Sequence, residues 1–146
     1  MTFVHATCVA LRRGRTWRGV LLRGPSGAGK SDLALRLIDE GARLVADDQT
    51  HVVAKGRALL ASAPPTLAGL MEVRGIGIVK LAPSQLLASA RLALLVDLVP
   101  ASKIERLPEP AHETLEGVEL PLLALSPFEA SACAKLRLAL GRSGTA

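Results

Sequence analysis

Gly24-Pro25-Ser26-Gly27-Ala28-Gly29-Lys30-Ser31 is the stretch of this 146-residue chain richest in chemistry. Its Gly-x-x-x-x-Gly-Lys-Ser spacing suits a loop whose backbone N–H groups converge on phosphate, because glycines let the chain wrap an anion without side-chain clashes. A helix opening near Lys30 would add its unpaired N–H groups and the positive end of its dipole. In that setting Lys30 reaches the β- and γ-phosphates, and the Ser31 hydroxyl is a Mg²⁺ ligand. Binding of a nucleoside triphosphate is the strongest reading of these eight residues. Downstream, Asp47-Asp48 is a carboxylate pair of the kind that serves a metal or a proton. Successive side chains of a strand point to opposite faces, so both acids share one site only if the chain turns there, which Gln49-Thr50 permits. Glu72 and Arg74 fall on one face if their segment is extended, and Mg²⁺ wants more oxygen ligands than Ser31 alone supplies.

These residues must be held by strands and one helix. Val4–Leu11 and Gly19–Leu22 read as strands joined by a hairpin connection at Arg12-Arg13-Gly14-Arg15-Thr16, the second feeding the phosphate loop directly. Leu33, Ala34, Leu37 and Ile38 form the apolar stripe of the helix behind the loop, which Gly41 stops. Ala42–Ala46 is a short strand ending at the acid pair. Thr50–Ala54 and Arg57–Leu60 suggest a hairpin turning at Lys55-Gly56, and Ala63-Pro64-Pro65 breaks the pattern. Leu70–Lys80 reads as a sheet edge with two glycines that permit close backbone approach. Leu81–Ala90 reads as a short helix, and Leu92–Asp97 as a strand for the middle of a parallel sheet. Pro100–Glu116 reads as an exposed, mobile loop. Ser126 as N-cap, Pro127 at N1 and Glu129 at N3 announce a final helix from Phe128 to about Leu140, with a polar tail over the last six residues.

Length and composition fit one domain with its own core: 49% of residues are hydrophobic and 21% charged. Trp17, Phe3 and Phe128 are the only aromatics, so stacking of nucleic-acid bases is poorly supported. The net charge of +5 gathers in Arg12, Arg13, Arg15, Arg18 and Arg23, which reads as a basic patch beside the phosphate loop. Such a patch suits polyphosphate, an acidic protein or nucleic acid. Cys8 and Cys133 make neither a disulfide framework nor a metal-ligand spacing. With no leader pattern and no membrane-length apolar run, a cytoplasmic protein without membrane partners is expected.

The motifs together resemble the C-terminal catalytic domain of the HPr kinase/phosphorylase family, over nearly the whole chain. The resemblance rests on the phosphate loop, on Leu44-Val45-Ala46-Asp47-Asp48, and above all on Met71-Glu72-Val73-Arg74-Gly75-Ile76-Gly77-Ile78. It implies an α/β fold, the P-loop nucleotide-binding core of phosphoenolpyruvate-carboxykinase-like type, with a mixed β-sheet and flanking helices. It also implies the compact form without the family's N-terminal domain. The activity implied is ATP- and Mg²⁺-dependent phosphorylation of a serine on the phosphocarrier protein HPr, with reverse phosphorolysis, in a homo-oligomer that is commonly hexameric.

By resemblance His5 is the active-site histidine, Lys30 stabilises the transfer, and Ser31 and Glu72 are the Mg²⁺ ligands. Asp48 takes the serine proton, Asp47 orients that network or serves the metal, Arg74 belongs to the phosphorylation segment, and Arg106 is a mobile-loop arginine near the transferring group. Two features depart from the family: an arginine-rich connection after His5, and Ala124-Leu125-Ser126-Pro127-Phe128-Glu129 where a basic segment is usual. The second departure weakens the expectation of phosphorolysis more than that of the kinase reaction. The rival readings are a small-molecule P-loop kinase and a nucleotide-gated regulatory or nucleic-acid-binding protein; no recognition helix supports nucleic acid.

Overall fold

The computed structural model describes residues 2–142; the tail expected at the C-terminus lies, from residue 143, outside the described residues. The strands are β1 Thr2–Val4, β2 Ala6–Arg13, β3 Thr16–Arg23, β4 Arg43–Ala46, β5 Thr50–Lys55, β6 Ala58–Ser62, β7 Leu70–Val73, β8 Gly77–Lys80, β9 Ser89–Leu98, β10 Ala111–Leu115 and β11 Val118–Leu125. Helix α1 covers Lys30–Asp39 and α2 Ala132–Arg142. Nine strands form one mixed sheet along the path β1-β5-β6-β9-β3-β2-β4, with β11 joined to β9 and β10 to β11. β7 and β8 make a separate hairpin.

β9 is the hub. Its apolar run Leu92-Ala93-Leu94-Leu95-Val96 suits a strand buried on both faces, and it lies parallel to both β3 and β11. The carboxyl ends of β3, β9 and β11 therefore meet at one end of the sheet.

Two cores follow from the alternation of side chains along each strand. Val9, Leu11, Val20 and Leu22 face the helices and pack with Leu33, Leu37, Leu136 and Leu140. Cys8, Ala10 and Leu21 face the other way and pack with Val52, Leu59, Ala61, Leu92 and Leu95. Among the described residues no helix covers this second face; the sheet curls, bringing β5 against β2 and β6 against β4. The small residues there (Ala6, Cys8, Ala10, Ala46, Ala61, Ala90) allow that close approach. Both cysteines are buried and free, and burial pushes the Cys8 thiol up to about 12, so it is inert at neutral pH.

Four expectations need correction. The first strand is broken at His5, which sits in a bend between β1 and β2. The helix expected over Leu81–Ala90 is a single 3₁₀ turn, Pro83–Gln85. Beyond it the Leu87 N–H donates to the Leu44 carbonyl at 3.0 Å, so pairing with β4 overrides local helix preference. The loop expected over Pro100–Glu116 contains a 3₁₀ turn, Ala101–Lys103, and then β10, closed onto β11 by Glu116 (φ 48°) and Gly117 (φ 77°). Two consecutive positive φ angles are the geometry of a hairpin turn that matches strand twist. Finally, α2 starts at Ala132 rather than Phe128. Residues 127–131 form turns instead, because Pro127 packs against the phosphate loop and Glu129 pairs with Lys135 rather than reaching back to Ser126.

Candidate active site

The phosphate loop spans the gap from β3 to α1. Gly24 has no room for a side chain: a Cβ there would lie 2.8 Å from that of Ala28. Gly29 takes φ 102°, a left-handed angle that favours glycine, and the Leu33 N–H returns to its carbonyl at 2.9 Å to open α1. Lys30 is buried and its Nζ donates to the carbonyls of Gly24 (2.7 Å) and Pro25 (3.2 Å), across the mouth of the loop. The cation is thus parked on backbone oxygens of the loop.

Asp47 ties two other elements to this loop. Its Oδ1 accepts from the Ser31 hydroxyl at 2.8 Å and from the Thr7 hydroxyl at 3.0 Å, while its Oδ2 accepts from the Glu72 N–H at 3.0 Å. One carboxylate therefore joins the phosphate loop, β2 and the β7–β8 hairpin. Asp48 goes elsewhere. It adopts φ 65°, a conformation that costs a non-glycine residue about 1–3 kcal/mol and clusters at functional sites. Its N–H donates to Thr7 Oγ1 at 3.2 Å, and its carboxylate faces His5, with Nε2 and Oδ1 3.6 Å apart. Both side chains are about 60% exposed, so the contact adds little stability and leaves the acid open to a substrate. The turn needed for the two acids to act together is present; it directs Asp47 to the loop and Asp48 outward.

Thr7 is the residue that sequence reasoning missed. It is fully buried, donates to one acid and accepts from the backbone of the other. The only signal was a hydroxyl in an otherwise apolar strand, two residues after His5. Thr7→Val keeps the shape and removes the hydroxyl. It is expected to destabilise the fold by about 1–2 kcal/mol in urea unfolding, because the Asp48 N–H and Asp47 each lose a partner.

Other expected site residues are not gathered in. The Glu72 carboxylate is exposed, Arg74 opens the turn between β7 and β8, and Arg106 lies in the exposed stretch before β10. None of these three side chains makes a hydrogen bond or ion pair among the described residues.

The arginine patch also separates. The β2–β3 hairpin carries Arg12, Arg13 and Arg15 to the far end of the sheet, and Arg18 lies about 17 Å along β3 from Arg23. Arg43 stacks on Trp17 there, 4.8 Å from the ring centre. Arg23 alone stays beside the loop. Its Nε donates to Asp97 at 2.8 Å and a terminal nitrogen to Glu113 at 2.7 Å, fastening β3, β9 and β10 together. The Arg23 guanidinium holds the Glu113 carboxyl below its ordinary value of about 4.5. A depressed carboxyl stabilises the fold above its unfolded pKa and loses that contribution as pH falls through the lower folded value. Arg23→Met is expected to cost about 2 kcal/mol at neutral pH, allowing for partial exposure. In thermal melts the penalty should shrink below pH 4.5; a penalty unchanged at acid pH would show that packing, not charge, is lost.

Fold and cradle define a P-loop nucleotide-binding domain with one acid on the loop and its neighbour turned outward beside it. The chain belongs to the family described as the HPr Serine kinase C-terminal domain, whose model matches residues 2–135. It is similar to the HPr kinase/phosphorylase of Limosilactobacillus reuteri (strain DSM 20016), 37% identical over 116 residues, which cover 73% of this chain and 36% of that protein. The Geobacillus thermodenitrificans HPr kinase/phosphorylase is 36% identical over 116 residues, covering 73% and 38%. The chain thus spans little more than a third of the length of the curated relatives it matches. The structure of the Hpr(Ser) kinase/phosphatase from Coxiella burnetii superposes with a TM-score of 0.82 at 25% identity, covering 97% of this chain and 89% of that one.

Proposed function

We propose that this chain phosphorylates a serine of an HPr-type phosphocarrier protein with ATP, in the cytoplasm. The observation that carries the reading is Asp47 joining the Ser31 hydroxyl to the backbone of the Glu72-Val73-Arg74-Gly75-Ile76-Gly77 hairpin, with Asp48 turned outward beside it.

The loop N–H groups and Lys30 hold the triphosphate, Lys30 exchanging its two carbonyl partners for phosphate oxygens. Mg²⁺ takes few protein ligands, one or two carboxylates beside substrate phosphates and water. Ser31 and Asp47, 2.8 Å apart, would supply two oxygens, and the exposed Glu72 carboxylate, whose backbone N–H is tethered to Asp47, would have to swing in to add a third. Mg²⁺ held by these residues would neutralise charge on the phosphates. Asp48 accepts the proton of the serine hydroxyl while that oxygen bonds to the γ-phosphorus and the bond to the β–γ bridging oxygen breaks, releasing ADP. His5 sets the charge around Asp48. Arg106 and Arg74, exposed and without partners among the described residues, are free to meet the transferring group or the protein substrate. Positioning and electrostatics provide most of the rate.

Incubation of the chain with HPr, ATP and Mg²⁺, followed by phosphosite mass spectrometry, tests this. Phosphoserine on HPr is expected; phosphate on a small metabolite and none on HPr would overturn it. Adding inorganic phosphate afterwards reads phosphorolysis separately.

A further inference from the structure

The turn at Ser126-Pro127-Phe128, where the chain departs from its family's basic pattern, has no part in the transfer chemistry above. Because β3, β9 and β11 are parallel, β11 delivers this turn to the same end of the sheet as the phosphate loop. In open α/β sheets ligands occupy the crevice beyond the carboxyl ends of such strands. The turn is fixed there. Ser126 and Pro127 are buried, and the Pro127 carbonyl accepts from Arg36 of α1, which also bonds Asp32. Phe128 follows, and an edge of its ring abuts Gly29: a Cβ added to that glycine would stand 3.0 Å from Cζ and 3.2 Å from Cε1. Gly29 is thus required twice, by its φ of 102° and by the ring. Yet Phe128 is 71% exposed, although it is one of only three aromatics in the chain. A largely exposed apolar ring whose Cζ–Cε1 edge is anchored against the loop that holds phosphates can serve as a stacking platform.

We propose that the nucleobase of the bound triphosphate stacks on Phe128, so that residues 126–128 are this chain's base-binding element. The inference rests on the nucleotide-dependent function proposed above and adds to it the residue that recognises the nucleoside. Every base has a π-face, so a ring platform needs no hydrogen-bonding partner to contribute affinity.

Calorimetric titration of the full chain with Mg-ATP and with Mg-tripolyphosphate, which has the phosphates and no base, tests it. Wild type should bind ATP more tightly than tripolyphosphate. Phe128→Ala should weaken ATP roughly fivefold to a hundredfold, the usual range for losing one base–aromatic stack, and leave tripolyphosphate unchanged. Phe128→Trp should retain ATP affinity. Unchanged ATP binding in Phe128→Ala overturns the inference and leaves the proposed function standing. Equal weakening of both ligands also overturns it, assigning the ring to loop support. Wild type that binds neither ligand overturns the inference and the proposed function together.

Discussion

Asp48→Asn is expected to slow phosphoryl transfer to HPr by about 10²–10⁴-fold, the usual worth of a general base, with Mg-ATP binding preserved. Asparagine tolerates left-handed backbone angles as readily as aspartate, so φ 65° at this position survives the change. The Asp48 N–H keeps its bond to Thr7, because that contact is made by the backbone. The contact to His5 loses its charge, but between two exposed groups 3.6 Å apart it contributes little to the fold. What disappears is the capacity to take a proton. Single-turnover transfer, read beside calorimetric binding, separates the two: a normal rate would remove Asp48 from its assigned role, and lost binding would move it into the cradle.

Lys30→Met should reduce transfer by about 10²–10³-fold, as expected when one preorganised charge aimed at the transition state is removed. Stability should move far less. Two hydrogen bonds to Gly24 and Pro25 are lost, worth about 1.5–3 kcal/mol each as charge-assisted bonds. Against that, the buried ammonium no longer has to be desolvated, and methionine fills much of the same volume. The opposing terms leave a small net change in urea unfolding beside a large kinetic loss. A variant as active as wild type would show that the lysine belongs to loop structure only.

Reading along the chain recovered what is encoded within short windows. The phosphate loop, the stripe of α1, the hairpin at Lys55-Gly56 and the acid pair depend on a residue and its near neighbours, through φ preference, helix period and strand alternation. The Met71–Ile78 motif identified the family, and the expected α/β fold with a mixed sheet and flanking helices is the one observed. Windows misled where a distant partner was stronger. Leu81–Ala90 looked helical until β4 captured Leu87, and the signature of an N-cap at Ser126 was overridden when Pro127 docked on the phosphate loop.

The division of labour between the acids shows the same split most sharply. Adjacent aspartates are indistinguishable by type. Only the bend between them, and the Thr7 hydroxyl arriving from forty residues upstream, sends one to Ser31 and the other toward solvent. Side-chain chemistry and local torsion are written residue by residue, so a phosphate-binding loop and the acids that follow it could be read directly. Which atoms meet depends on strand pairings and turns whose free energies are sums over the whole sheet, and those belong to the folded chain alone.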